Sequence, residues 1–558
     1  MNRLFKHGIF WAVFFWLLLL WITLYFRSLL PIDETRYVSV AWEMWHRNDF
    51  LVPYLNGKPY SHKPPLFFWL IHLGWRLFGV NDFTPRITAS FFACFSLFLT
   101  WHLTRMLWPE DRQAHHLSPI ILSTFILWAI FSTLTMFDMI LTFFALVGVW
   151  GILTARRGNI ITGWGLVCMG IGCGILTKGP VILLHILPPA ILVPWWSKDN
   201  PLKNRLHWYG GLVAAILCGT AIALAWAVPA AISGGQEYGH AIFWGQTSGR
   251  IIKSFAHRQP FWWYLPMLPL ILFPWSLWTG MWKGMKKLKT DTGVRFCLSW
   301  FGSVLIILSL ISGKQIYYLL PVFPSFAMLM AKAAGNLQDQ LSRKNYLPIV
   351  FIYFFLGAVV FSLPLILPRF PVMALFQKIS VLWGLFPVCI GVFIMIRQPR
   401  GIASVSTGLG VSVVALIFFV HAGIFHELAP AYNVEILSSR IGVLQKAGKK
   451  ITHFSDYDDQ YHFAGRLTQP LNIIYNYKQL KKWANLYPDG YVIIYYKPDT
   501  DIPKKGAEYA QPYRGKKVAL WKVEKFLQKL ALLKKKQETI MSRQSFIKNN
   551  LKGKGVHS

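Results

Sequence analysis

Long apolar segments that recur along the chain constrain its fold more than any other feature. The first, residues 9–25 (IFWAVFFWLLLLWITLY), carries no charge, and segments of similar character recur as far as residue 428. A membrane-spanning helix needs about 20 such residues. Only 14% of the chain is Asp, Glu, Lys or Arg, less charge than a soluble protein of 558 residues would expose. The sequence therefore predicts a polytopic membrane protein.

The number of spans follows from hydropathy. Acidic residues follow the first segment where a cleavage site would need small residues, so we interpret it as an uncleaved helix. Further spans are predicted near 84–107, 117–136, 138–155, 160–176, 179–196, 207–232, 260–282, 294–312, 315–334, 346–368, 379–397 and 402–428. Together they make about thirteen. The least regular region is 160–196, which Lys178, Gly179 and Pro180 interrupt.

The distribution of basic residues predicts the orientation. With the N-terminus in the cytoplasm, each predicted inner loop carries Lys or Arg, as at Arg156, Arg157, Arg343 and Lys344. This arrangement explains most of the positive charge on the inner side, so the net charge of +34 does not indicate a nucleic-acid partner. We predict contacts with membrane lipids and no nucleic acid. The C-terminal part then lies on the outer side of the membrane.

Three regions are predicted along the chain. Residues 1–429 form the transmembrane domain, whose first outer loop, 31–83, contains two helices lying at the membrane surface. Residues 430–525 are polar and mixed, and ITHFSDY, LNIIYNY, GYVIIYY and KKVALWKV read as strands of a small α/β domain. Residues 526–558 form a basic tail. The predicted fold class is thus mainly α with a small C-terminal α/β domain.

The first outer loop opens with an ionised cluster, Asp33-Glu34-Thr35-Arg36. Asp33 stands where the N-cap of a helix over 34–48 is expected, and capping alone would explain an aspartate there. The other interpretation is catalytic, because a carboxylate beside cations can accept a proton while the cations bind a phosphate. Lys63, in a turn braced by two prolines, and Asp138, at the start of a span, favour that interpretation.

Other outer-side residues are weaker candidates. Lys314 and Tyr318, in SGKQIYY, offer a second phosphate ligand and a hydroxyl, although a snorkelling lysine in an aromatic belt is the alternative. Arg258 follows His257 in HRQPFWWY. A divalent metal bound by His62 and His257 stays open as an alternative, but no HxH or CxxC spacing supports it.

Several motifs, taken in order, resemble a known family. DETRY, DFLVPYLNGKPYSHKPPL, FDMILTFF, GILTKGP, HRQPFWWYLPMLPL and SGKQIYYLLPVFPSFAMLMA are similar to segments of the bacterial 4-amino-4-deoxy-L-arabinose lipid A transferases. They also resemble the wider group of polyprenyl-phosphate-dependent membrane glycosyltransferases, which includes protein O-mannosyltransferases. The resemblance extends from about residue 9 to residue 430. It implies a GT-C fold in a bacterial inner membrane, with a cavity and the C-terminal part on the periplasmic side.

The resemblance also implies roles for individual residues. Asp33 matches the family's catalytic carboxylate, and Asp138 its second acid. Arg36 and Lys63 match residues that hold the phosphate of the lipid carrier. His257 and Arg258 match loop residues near the cavity, and Tyr318 an aromatic residue that lines it. Lys178, in LTKGP, receives no role.

One departure from the family concerns the sugar. His62 stands where the aminoarabinose enzymes typically have a carboxylate before Lys-Pro, and a histidine would not pair with an ammonium group.

The predicted function is transfer of a sugar, with 4-amino-4-deoxy-L-arabinose the leading one, from an undecaprenyl-phosphate carrier to lipid A or a related envelope acceptor. A protein O-mannosyltransferase or a core-oligosaccharide glycosyltransferase is an alternative of the same class. A lipid or sugar transporter is an alternative of another class, favoured only by the interruption at Lys178.

Overall fold

The computed structural model describes residues 8–199, 202, 204–245, 258–337, 341–367, 376–397, 401–497 and 506–532. Within these residues, nine helical segments are long and apolar enough to cross a membrane, which confirms the polytopic α-helical architecture. They are Gly8–Phe26, Phe83–Leu107, Asp138–Arg156, Ile160–Lys178, Arg205–Gly234, Thr292–Leu310, Ile316–Leu337, Arg343–Ile366 and Ile402–Lys446.

Three of the thirteen predicted spans are instead broken helices. Near 117–136, Arg112–Thr124 ends at Phe125, whose backbone is extended (φ −63°, ψ 128°), and Ile126–Phe131 follows as a short helix. Near 179–196 the chain forms Ile182–Ile191 and Val193–Trp196, and near 260–282 it forms Tyr264–Ile271 and Thr279–Lys286. The chain at the breaks is mostly apolar, as at Phe125, Leu192 and residues 272–278 (LFPWSLW), so hydropathy alone does not detect them.

Several of the remaining elements are short or change helical type. Among the residues that the structure describes, two segments are π-helical, Ala241–Gly245 after the helix Gln236–His240, and Val420–Phe425 between Ile402–Phe419 and His426–Tyr432. The 3₁₀ turns are Ile316–Val322, Gly335–Leu337, Arg343–Tyr346 and Val381–Gly384, and these lead into or follow the α-helices Phe323–Ala334, Leu347–Ile366 and Leu385–Ile396.

The loop after the first membrane helix folds into a compact layer. It contains the helix Asp33–Arg47, a two-stranded hairpin of Tyr54–Leu55 with Lys58–Pro59, and the helix Leu66–Phe78. Tyr37, Val38 and Ala41 are buried in a core cluster with Phe137 and Phe463. The helix predicted to lie on the membrane surface is therefore packed against protein, because Phe463 belongs to the C-terminal region.

Residues 435–532, here called the C-terminal unit, contain a five-stranded mixed sheet. The strands lie in the order Asn472–Ile474, Ile451–Phe454, Tyr491–Tyr496, Lys516–Lys522, Tyr509–Tyr513; the first three are parallel and the last two antiparallel to their neighbours. The helices are Glu435–Lys446, His462–Gly465 and Tyr477–Leu486, and a further helix covers 523–532. Strands were predicted at all these places except Tyr509–Tyr513, where YAQPY contains a proline.

Both faces of this sheet are covered. Leu437, Ile441 and Tyr461 pack on one face, and Leu480 and Trp483 on the other. Phe526 is buried in the second cluster, so the packed unit continues beyond residue 525, where the basic tail was predicted to begin. Most of that tail, 533–558, lies outside the described residues.

Side chains of the helix Asp33–Arg47 form hydrogen bonds with the main chain of the C-terminal unit. The Ser39 hydroxyl donates to the Asp459 carbonyl oxygen (2.7 Å) and accepts from the Phe463 N–H (3.1 Å). The Trp42 indole donates to the Leu467 carbonyl oxygen at 2.7 Å. These bonds lie on the same helix as Asp33 and Arg36, so the C-terminal unit borders the site predicted from the sequence.

Candidate active site

The helix Asp33–Arg47 begins without a side-chain cap. Its N-cap residue is Ile32, and Asp33 is the first helical residue. The prediction that Asp33 is the N-cap is therefore wrong. Asp33 and Glu34 in the first turn still favour this helix end electrostatically, as do His46 and Arg47 in the last turn.

Glu34 anchors the start of this helix to the rest of the molecule. Its buried carboxylate accepts hydrogen bonds from Arg27 and from the main-chain N–H groups of Leu30 (2.8 Å) and Thr135 (2.6 Å). Burial alone would raise the pKa of Glu34, but the charge of Arg27 and these hydrogen bonds lower it below its ordinary value. Because Thr135 lies three residues before Asp138, Glu34 fixes the Asp33 end of the helix relative to Asp138.

Arg36 joins two carboxylates. Its guanidinium donates to Asp33, one turn earlier on the helix, and lies 3.3 Å from Asp458 of the C-terminal unit. Burial opposes the charge on Arg36, but the phenols of Tyr60 and Tyr37 and the two carboxylates outweigh it and raise the pKa. The Asp33 side chain is 52% exposed, so its carboxylate is open to an incoming molecule.

Lys63 lies against two aromatic rings. Its ammonium nitrogen is 5.4 Å from the centre of the Phe137 ring and 5.9 Å from that of Tyr37. These rings meet edge to face, with centres 4.9 Å apart. The carbon of the Arg36 guanidinium lies 5.6 Å from the centre of the same Tyr37 ring, so Lys63 and Arg36 share one aromatic neighbour. Cation–π contacts of this kind orient an ammonium without neutralising it.

Asp138 and Lys178 form a buried ion pair, with the ammonium nitrogen 2.5 Å from a carboxylate oxygen. Asp138 is the first residue of Asp138–Arg156, and Lys178 is the last residue of Ile160–Lys178. An acid at a helix N-terminus and a base at a helix C-terminus both complement the helix dipoles. The side chains are only 2% and 12% exposed.

Lys178 also extends the site to the next aromatic residues. Its ammonium nitrogen is 5.0 Å from the centre of the Tyr318 ring and 5.1 Å from that of Tyr317. Both belong to the 3₁₀ turn Ile316–Val322. A continuous series of contacts therefore connects Asp33 and Arg36 to Tyr318.

Lys314 has a different environment from the one predicted. Its side chain is buried, and its ammonium donates to the carbonyl oxygens of Gln259 (3.0 Å) and Ile311 (2.5 Å). The Gln259 N–H in turn donates to the Ser312 carbonyl oxygen, and Arg258 pairs with Gly313. This placement makes Lys314 a support for the turn, whereas Arg258 is exposed. A substrate-binding role for either residue stays a prediction.

The metal hypothesis gains no support from the described residues. They contain no group of three or more His, Cys, Asp and Glu side chains that could hold a metal ion. His62 stacks on the Tyr60 ring, with centres 5.2 Å apart. His257 lies outside the described residues.

Sequence reasoning missed two contributors to the site. Asp458 reaches Arg36 across 422 positions of sequence, so no local pattern could reveal it. Lys178 was noted in LTKGP without a role, and its role as the partner of Asp138 follows only from the packing of two neighbouring helices. The interruption of the apolar stretch at Lys178 was the available signal.

Comparison with known proteins identifies the family. The undecaprenyl phosphate-α-4-amino-4-deoxy-L-arabinose arabinosyl transferase of Photorhabdus laumondii is 31% identical over 406 residues, which are 70% of this chain and 71% of that protein. The chain belongs to this family of membrane glycosyltransferases. The enzyme of the same name from Pectobacterium atrosepticum is also 31% identical, over 58% of this chain and 59% of that protein.

Two further comparisons agree with this assignment. A model of the dolichyl-phosphate-mannose-protein mannosyltransferase family matches residues 62–226. The crystal structure of ArnT from Cupriavidus metallidurans in the apo state superposes with a TM-score of 0.68 at 17% identity, covering 91% of this chain and 96% of that one. The same ArnT bound to undecaprenyl phosphate gives a TM-score of 0.67. These likenesses confirm the predicted GT-C fold, and family membership confirms a glycosyltransferase in place of the transporter alternative.

Proposed function

We propose that this protein transfers 4-amino-4-deoxy-L-arabinose from an undecaprenyl-phosphate donor to lipid A on the outer face of a bacterial inner membrane. The observation that carries the proposal is that two cations share the Tyr37 ring, because the Lys63 ammonium lies 5.9 Å and the carbon of the Arg36 guanidinium 5.6 Å from its centre. Arg36 is also paired with an exposed carboxylate, Asp33. The cations can bind a phosphate while the carboxylate accepts a proton, and the proposed reaction requires both functions in one site.

The proposed reaction is a displacement at the anomeric carbon. The acceptor oxygen forms a bond to that carbon, the bond from the carbon to the donor's phosphate oxygen breaks, and the phosphate leaves with the electron pair. Arg36 and Lys63 bind the phosphate and stabilise the charge that develops on it. Where the acceptor is a hydroxyl, Asp33 accepts its proton. A phosphate acceptor is already ionised and needs less help.

Asp138 has a different environment from Asp33. It is buried and paired with Lys178, so we assign it the positioning of Lys178 instead of direct proton transfer. Lys178 adds a third cation beside Tyr318. In this proposal the aromatic rings of Tyr317 and Tyr318 exclude water from the ammonium group, which strengthens its attraction for an anionic substrate.

A second function of the same class has its own support. The mannosyltransferase family model begins at residue 62, where His62 replaces the carboxylate typical of aminoarabinose enzymes. Transfer of a neutral hexose to a protein or to core oligosaccharide would need no partner for an ammonium group. The identity of the sugar is thus the point that an experiment must decide.

The test compares lipid A, core oligosaccharide and periplasmic glycoproteins by mass spectrometry. Samples come from cells lacking the chain, cells with it, and cells with Asp33→Asn. Loss of an aminoarabinose mass from lipid A in the deletion and the variant would support the proposal. Unchanged lipid A with a lost hexose on core sugar or protein would favour the second function.

A further inference from the structure

Asp458 brings a second carboxylate to the proposed phosphate site from a distant part of the chain. Its oxygen lies 3.3 Å from the Arg36 guanidinium, which also donates to Asp33. The Asp458 side chain is 41% exposed, so it borders the open side of the site. A phosphate bound to Arg36 would therefore meet a negative charge contributed by the C-terminal unit.

The turn that carries Asp458 is held firmly. Ser455 (φ 85°) and Asp459 (φ 57°) are both in the left-handed region, which residues other than glycine adopt rarely. The Asp459 carbonyl oxygen accepts from Ser39, three residues after Arg36 on the same helix. The Asp458 N–H donates to the Gln460 side chain at 3.2 Å. Strained backbone angles persist only where surrounding interactions hold them. The hydrogen bonds of this turn therefore keep Asp458 beside Arg36.

The charge on the lipid phosphate changes during the proposed reaction. The sugar-linked donor is a phosphodiester with one negative charge. The released polyprenyl phosphate is a monoester, whose second ionisation has a pKa of about 6, so near neutral pH it approaches two negative charges. Repulsion from a nearby fixed carboxylate therefore grows as donor becomes product.

We propose that Asp458 is a specificity-determining residue that weakens binding of the polyprenyl-phosphate product relative to the phosphodiester donor and so promotes product release. The inference rests on the proposed function, since it requires a lipid phosphate at Arg36. With this role for Asp458, the C-terminal unit contributes to product release as well as packing against the helix Asp33–Arg47.

The experiment measures dissociation constants of the full chain in lipid nanodiscs. The probes are undecaprenyl phosphate and its methyl phosphodiester, which differ in charge at pH 8. Asp458→Asn keeps an oxygen that can accept from Arg36 but removes the negative charge. We expect it to bind undecaprenyl phosphate about tenfold more tightly, with a change of about threefold or less for the diester. Asp456→Asn, the same substitution at an exposed neighbouring residue, should change neither.

A measurement at lower pH completes the test. At pH 5.5 the monoester carries mostly one charge, so the advantage of Asp458→Asn for undecaprenyl phosphate should shrink towards that for the diester. Equal effects on both probes, no effect, or weaker binding by Asp458→Asn would overturn the inference and would leave Asp458 only to hold Arg36. If the unmodified chain binds neither probe, the proposed function fails as well, and this result is distinct because it does not depend on the variant.

Discussion

The Lys178 ammonium and the Asp138 carboxylate meet where the C-terminus of one membrane helix adjoins the N-terminus of its neighbour. Two charges so thoroughly buried are stable only together, because each partner compensates for the water that the other has lost. The pair therefore ties the geometry of the site to the packing of the membrane helices.

Removing one member of this pair should destabilise the protein strongly. We expect Lys178→Met to lower the free energy of unfolding by about 3–5 kcal/mol, since it leaves the Asp138 carboxylate buried and unpaired. Lys449→Met is the matched control, because Lys449 pairs with Asp489 at the surface, where the side chains are 41% and 89% exposed. The control should cost about 1 kcal/mol or less.

The double variant Asp138→Asn/Lys178→Met separates folding from activity. It removes both charges, so stability in a thermal unfolding experiment should recover relative to Lys178→Met alone, while sugar transfer stays low. Full transfer by the double variant would show that the pair is only structural.

Asp33→Asn should reduce transfer without weakening the binding of undecaprenyl phosphate. Loss of a general base costs about a hundredfold to ten-thousandfold in rate for a hydroxyl acceptor, and a phosphate acceptor should retain more activity. Because the substitution removes a negative charge near Arg36, the affinity for undecaprenyl phosphate should stay equal or increase. The measurement is the turnover rate beside the dissociation constant. A variant with normal turnover would remove Asp33 from the mechanism.

Lys63→Met should weaken stabilisation of the leaving phosphate. A charge-assisted contact that strengthens in the transition state is worth about 3 kcal/mol, or about a hundredfold in kcat/KM. Lys58→Met provides the control, because Lys58 is an exposed lysine in the preceding hairpin and should leave kcat/KM unchanged. Equal losses in the two variants would point to general disruption of the loop.

The C-terminal unit should lose stability in mild acid. Burial lowers the pKa of His453 to about 4, whereas an unfolded histidine titrates near 6.5. Between these values the unfolded state binds the proton more readily than the folded state. The stability of the folded state that depends on a neutral His453 is therefore fully present above pH 6.5 and is lost as pH falls towards 4. At pH 5 the loss is about 2 kcal/mol.

The histidine variant tests that origin directly. In His453→Asn the amide can still donate to the Ser455 carbonyl oxygen, which lies 2.9 Å from the His453 ring. The drop in unfolding temperature between pH 7.5 and pH 5 should be smaller in this variant than in the unmodified chain, while His207→Asn, at an exposed position, keeps the full drop. An unchanged drop in His453→Asn would assign the acid sensitivity to other groups.

The sequence predicts the long helices well because hydropathy reports burial in a membrane directly. The span predicted at 138–155 is the helix Asp138–Arg156. The prediction from hydropathy fails at Phe125, where an apolar segment changes direction without a charged residue to mark the break. In the site, Asp33 and Arg36 are recognisable because they are neighbours on one helix. The contact from Asp458 depends on docking of the C-terminal unit, and Lys314 is turned inward by carbonyl groups that no sequence pattern displays.

The hydrogen bonds that attach the C-terminal unit have a consequence for how this protein can vary. Ser39 and Trp42 bind carbonyl oxygens, and Asn56 makes two hydrogen bonds to the main chain of Leu471. Every residue type except proline presents the same carbonyl and N–H groups. Evolution can therefore exchange most side chains along 459–471 while the attachment persists, provided that the buried Phe463 and the polar residues on the membrane domain are retained. Such an interface permits exchange of whole C-terminal units between relatives.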